Sequence, residues 1–267
     1  MKALRLALSG SGFKFPAHVG ALMAIRDAGF TPIEYAGTSG GSIVAALAAS
    51  GMDLDTMKSL TMTRDWSDML TFSVLSILGG KGFCSGDTLL DWITKTTNGA
   101  TFDDLTVPLT IMASDASNEV GFEFSQKTTG ATQIAFAARC SACIPLVYEA
   151  VPFGGTFLQD GGLVDNIPAD KLVVDDVPRL GIHLVAKSKP LTGKGDSYID
   201  LLERDVNMLL NANEDAHVGM GAENGARYAV VETGYANGLD RNMSAEIRTR
   251  LFTDGYNATA AALKMVA

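Results

Sequence analysis

The sequence predicts an α/β fold with a mostly parallel central sheet covered by helices on both faces. Three observations predict it. Short apolar runs alternate with longer helix-like segments along the chain. Leu4–Leu8 and Leu109–Ala113 read as buried strands, which a parallel sheet requires. The 267 residues are 47% apolar and 19% charged, a globular composition long enough for a sizeable core. With no repeat, linker or low-complexity segment, residues 1–267 read as a single domain.

Each element has its own signal. After the strand Leu4–Leu8 comes a Gly/Ser loop. Pro16, a favoured first helical residue, opens a helix that Gly29 closes. Ile33–Gly37 is a short strand, and Ser42–Ser50 is a helix of small residues ended by Gly51. Asp53 caps the next helix, and Asp87–Thr97 is another. Strand Leu109–Ala113, strand-like Phe122–Phe124 and helix Thr132–Arg139 follow. Strand Leu180–Val185, helix Tyr198–Asn211, strand Tyr228–Val231 and a closing helix Ser244–Met265 complete the order. The segment Trp66–Phe83 is rich in Leu, Phe and Ile beside Gly79-Gly80. It reads either as a core-packed helix pair or as a hinged cover over a site.

Charge and cysteine content exclude several classes. Lys and Arg total 21 against 30 Asp and Glu, a net charge of −9. An acidic chain without a basic run is a poor nucleic-acid binder. No stretch has the roughly 18 uncharged apolar residues of a membrane span. The first eight residues are broken by Arg5 and run into Ser9-Gly10-Ser11-Gly12, so they read as a strand and not as a signal peptide. A cytoplasmic protein, with room for peripheral membrane contact, is the expectation. Three cysteines imply no disulfide framework, and Cys140-x-x-Cys143 is half a zinc site at most, so no metal is expected.

Three motifs carry chemistry. Gly37-Thr38-Ser39-Gly40-Gly41 fits G-x-S-x-G between a strand and a helix. Small residues there permit a strained turn that lifts a serine hydroxyl clear of the sheet, with Gly37 and Gly41 flanking it. Its plain alternative is a Gly-rich turn with Ser39 as helix cap. Gly10-Ser11-Gly12-Phe13-Lys14 follows the first strand, and its backbone N–H groups can converge on an anion. The anion is either a phosphate or the transient oxyanion of an acyl intermediate. Neither a Walker loop nor a good dinucleotide fingerprint fits. Asp160-Gly161-Gly162 is a common turn signal that, placed beside Ser39, becomes a candidate general base. Of three histidines, His18 lies in the first helix, His183 reads as core, and His217 falls in a Gly/Ala-rich stretch without a clear element.

Together these residues resemble the patatin-like phospholipase family. Leu6–Lys14 matches its opening strand and glycine-rich oxyanion loop, and Ala17–Leu22 the helix that follows. Gly37–Gly41 matches the nucleophile elbow. Arg139, Ser141, Ile144-Pro145 and Asp160–Pro168 match the segment carrying the acid, and Gly255-Tyr256 fits the final helix. The resemblance implies a three-layer α/β/α fold and a lipid acyl hydrolase of phospholipase A or esterase type. It implies Ser39 as nucleophile and Asp160 as base, without a catalytic histidine and without a cofactor. Gly10, Ser11, Gly12 and Phe13 would supply oxyanion amides, and Lys14 would hold the loop or contact a lipid phosphate. Lipid or phospholipid acyl esters are the implied substrates. Two positions depart from the family pattern: Ser11 and Phe15 stand where glycine is usual. Phe15 is expected at negative φ, with the loop intact. A catalytically silent lipid- or protein-binding relative, and a nucleotide-binding α/β protein resting on the Gly10 loop alone, are the competing classes.

Overall fold

A computed structural model describes residues 2–70, 84–186, 193, 198–210 and 212–265. Strand β1 (Lys2–Leu8) leads through the Gly/Ser loop to α1 (Phe15–Asp27) and β2 (Phe30–Thr38). Helices α2 (Gly40–Ala49), α3 (Leu54–Thr63) and α4 (Asp87–Thr96) precede β3 (Leu109–Asp115) and β4 (Val120–Phe124). Then come α5 (Ile134–Ser141), the hairpin β5 (Val151–Phe153) and β6 (Thr156–Asp160), and β7 (Arg179–Val185). Helices α6 (Tyr198–Leu210) and α7 (Glu214–Glu223), strand β8 (Arg227–Glu232) and helix α8 (Ala245–Leu263) close the chain.

Among the described residues the sheet has eight strands in the order β5-β6-β3-β2-β1-β7-β8, with β4 paired to β3. From β3 through β2, β1 and β7 to β8 every pairing is parallel. The pairings of β3 with β4, β3 with β6 and β5 with β6 are antiparallel. The predicted mixed α/β fold with a mostly parallel sheet is therefore the observed one. In parallel order the ends of β1 and β2 lie side by side, with Leu8 opposite Gly37. This brings the loops that follow them together.

The two sheet faces are covered unequally. Leu4, Leu6 and Leu8 point into the large core with α1, α2 and α5. Ala7 points the other way, as alternation requires, into a small cluster with Ala36, Ala169, Leu172 and Ala226. On the large-core side α1 and α8 cross at glycines. A Cβ on Gly20 would lie 2.1 Å from the Phe252 carbonyl oxygen, and one on Gly255 2.0 Å from that of Ala17.

The β5–β6 hairpin and helix α7 are among the elements that escaped the sequence reading. The β5–β6 hairpin turns at Gly154 and Gly155, both at positive φ (60° and 87°), but its strands are too short to announce themselves. Helix α7 has no apolar stripe, so its His217 had no element to sit on. In the segment 66–83, Trp66 and Met69 are core residues, and Trp66 packs edge-on against Phe15 and Trp92. The remainder, 71–83, with the hinge glycines Gly79 and Gly80, lies outside the described residues.

Candidate active site

Strand β2 ends in a sharp turn at Ser39, whose φ of 50° and ψ of −126° lie outside the usual regions for a residue with a side chain. The surroundings hold it there. The Ser39 N–H donates to Ser141 Oγ at 2.8 Å, and Ser42 Oγ donates to the Ser39 carbonyl at 2.7 Å. Glycine is required beside it: a Cβ on Gly41 would sit 2.3 Å from the Ser9 carbonyl oxygen, and one on Gly37 2.7 Å from Ser42 Cα. The hydroxyl of Ser39, at the N-terminus of α2, points to Asp160, and its Oγ donates to Asp160 Oδ2 at 2.7 Å.

Asp160 is the last residue of β6 and opposes Ala113 of β3. It is fully buried, and its second oxygen accepts the Gly162 N–H at 2.8 Å. Burial pushes its carboxyl up from 3.8 to about 7, against the lowering effect of Gly162 and Ser39. Its backbone is fixed on both sides. The N–H donates to the Cys143 carbonyl at 2.9 Å, and the carbonyl accepts from Ser114 Oγ at 2.7 Å.

The loop after β1 differs from the expectation of four free amides. The Gly10 N–H donates to the Asn166 carbonyl at 2.9 Å and the Phe13 N–H to the Gly238 carbonyl at 2.8 Å. Neither is available to an anion as the loop stands. Among the described residues, the amides of Ser11 and Gly12 donate to no protein acceptor. Gly12 has φ 55°, so glycine is needed there. Phe15 begins α1 and is not among the residues at positive φ, as expected. Lys14 is buried, and its Nζ donates to Thr233 Oγ1 at 3.0 Å, which ties the loop to the end of β8.

None of the three histidines is placed like a triad base. His18 is buried, with Nε2 bonded to the Ser9 carbonyl at 2.9 Å, and burial pushes its imidazole down to about 4. His183 is bonded to Glu214, and His217 faces Asp165 and Asp170.

Ser39 lines two spaces. One is a cavity of about 330 Å³ bordered by Gly10, Gly12, Lys14, Asp160, Asn166 and Glu214. The other is a narrow apolar cleft of about 20 Å³ between Phe13, Ile43, Leu70, Leu89, Ile144 and Tyr148. Sequence reasoning missed Gly238 and Thr233, which brace the loop from far along the chain. It also missed Glu214, where Asn166 Nδ2 donates at 3.2 Å. No local motif surrounds these residues.

This chain belongs to the patatin-like phospholipase family, whose sequence model matches residues 6–173. It is 27% identical over 168 residues to an uncharacterized NTE family protein of Mycobacterium tuberculosis, a match covering 61% of this chain and 43% of that protein. The neuropathy target esterase sws of Drosophila melanogaster is 27% identical over 180 residues, covering 63% of this chain but 12% of that protein. The matched region is thus less than half of either relative. Among solved structures, VipD from Legionella pneumophila superposes with a TM-score of 0.64 at 16% identity, over 99% of this chain and 67% of that one. ExoU in its complex with SpcU, from the type III secretion system of Pseudomonas aeruginosa, gives 0.54 at 17%, over 100% of this chain and 52% of that one. At such identities the structures speak for the fold.

Proposed function

We propose that this chain hydrolyses acyl esters of lipids, with Ser39 as nucleophile and Asp160 as general base. The observation that carries the reading is the 2.7 Å hydrogen bond from Ser39 Oγ to a buried carboxylate. Asp160 takes the hydroxyl proton as Oγ attacks the ester carbonyl carbon. The oxyanion that forms accepts from the Ser11 and Gly12 amides, with the positive end of α2 nearby. Collapse breaks the bond to the alcohol, which leaves with the proton held by Asp160. Water then gives a proton to Asp160 and attacks the acyl-enzyme, and Ser39 departs reprotonated. A carboxyl raised to about 7 is a far better base than one at the ordinary 3.8. The apolar cleft takes the start of the acyl chain, and the larger cavity takes the alcohol part.

Membership of the patatin-like family supports the same reaction class. The silent-binder alternative rested on Phe15, which begins α1 and is not among the residues at positive φ. The test is hydrolysis of a soluble p-nitrophenyl ester together with labelling by a fluorophosphonate. Both should be present in the native chain and absent in Ser39→Ala. Labelling that survives in Ser39→Ala would sink the proposal.

A further inference from the structure

A second cluster of polar groups lies outside the cavity at Ser39. Asp165 follows the Asp160-Gly-Gly turn, Asp170 lies in the next turn, and His217 comes from α7. One ligand atom of each lies within 4.8 Å of the others. His217 Nδ1 is 3.5 Å from Asp165 Oδ1 and 3.8 Å from Asp170 Oδ1. Asp165 is 1% exposed, and neither of its oxygens has a hydrogen bond of ordinary geometry, although the Asp170 carboxyl, the Ile167 amide and the Lys171 charge are nearby. Asp170 Oδ1, His217 Nδ1 and the Tyr228 hydroxyl are also buried without a hydrogen-bond partner. Buried polar atoms are nearly always satisfied, and a buried carboxylate is normally paired or bound to a metal. Lys171 Nζ donates to Asp170 Oδ2 at 2.7 Å, which leaves Oδ1 facing the cluster.

From this group of unsatisfied polar atoms we infer that Asp165, Asp170 and His217 bind one divalent first-row transition ion, zinc or manganese. Two ligand atoms bound to a tetrahedral ion at about 2.0–2.1 Å lie roughly 3.3 Å apart. The cluster needs to close by only a few tenths of an ångström on its His217 side. One imidazole nitrogen with two carboxylate oxygens suits zinc or manganese better than magnesium, which prefers all-oxygen sites. The side chains of Asp170 and His217, 13% and 17% exposed, give the ion a route in from solvent. The ion would be structural. It would pin α7, which carries Glu214 at the cavity wall, to the segment after Asp160. That segment also touches the elbow, because Thr38 Oγ1 donates to the Asp165 carbonyl at 2.7 Å.

The experiment uses the full chain stripped with a chelator, then dialysed against zinc, manganese or magnesium. Metal content and melting temperature are read without reference to ester hydrolysis. About one equivalent of zinc or manganese should be retained, with a rise in Tm of several degrees. His217→Gln, at a partly exposed position, should fold yet lose at least about tenfold in affinity, and folded Asp165→Asn should lose more. Retention of under about 0.1 equivalent by the folded native chain would overturn the inference. So would unchanged affinity in folded His217→Gln, or equal stabilisation by magnesium.

Discussion

In the proposed mechanism Asp160 and Ser39, joined by a hydrogen bond of 2.7 Å, act as a single chemical unit. Ser39→Ala and Asp160→Asn should each lower turnover by about 10³-fold or more, and the double variant should be little worse than either. Gln at His18, His183 or His217 should leave measurable turnover in every folded variant. A dead folded histidine variant beside an active Asp160→Asn would replace the pair with a Ser-His arrangement. A base must be ionised to act, so kcat/KM should climb with pH and level off above a midpoint near 7. The same shift has a stability sign. Folded Asp160 keeps its proton up to about 7, whereas the unfolded chain releases it near 3.8. The stability this gives is complete below 3.8 and is lost as pH rises toward 7. Above that, Asp160→Asn should be the more stable protein in urea denaturation, by on the order of 1 kcal/mol or more. Ser39 was legible from its motif and its place between a strand and a helix. Asp160 was legible only through the family resemblance, because Asp-Gly by itself reads as a turn. The engagement of the Gly10 and Phe13 amides was not legible, since their acceptors, Asn166 and Gly238, lie far along the chain.

Elements with long apolar or well-capped patterns were readable, and elements defined by their partners were not. Strands β1, β2, β3, β7 and β8 and helices α1 to α4 appear close to their expected places. Strand β6, which carries Asp160, has only five residues and owes its existence to pairing with β3 and β5. Helix α5 has a positional task that its sequence does not display: its Ser141 accepts the Ser39 N–H. Ser141→Ala should leave that buried amide unpaired and cost about 1–3 kcal/mol in a denaturant titration. Turnover should fall as well, because the strained elbow loses one of its holds. At the start of α1, Phe15 is 2% exposed and packs edge-on against Phe13 and Trp66. Replacing it therefore costs packing as well as backbone entropy, so Phe15→Ala should lose about 3–5 kcal/mol.

At the scale of the whole molecule, α1 and α8 cross with backbone against backbone at Gly20 and Gly255. Gly255→Ala places a methyl group where the Ala17 carbonyl oxygen already lies, so the helices must part. The expected loss is about 1–3 kcal/mol, read as a lower Tm. Gly219→Ala, with open space around its Cβ, is the control and should not destabilise. The bracing of the Gly10–Lys14 loop by Gly238 and Thr233 bears on the order of synthesis. A ribosome delivers Ser39, then Asp160, and only much later the residues that seal the loop between them. A nascent chain that already carries every motif residue still lacks the acceptor for the Phe13 amide and the anchor for Lys14. On the proposed mechanism the serine is thus built early and armed late, so a chain released before residue 233 would carry the motif without the contacts that brace the Gly10–Lys14 loop.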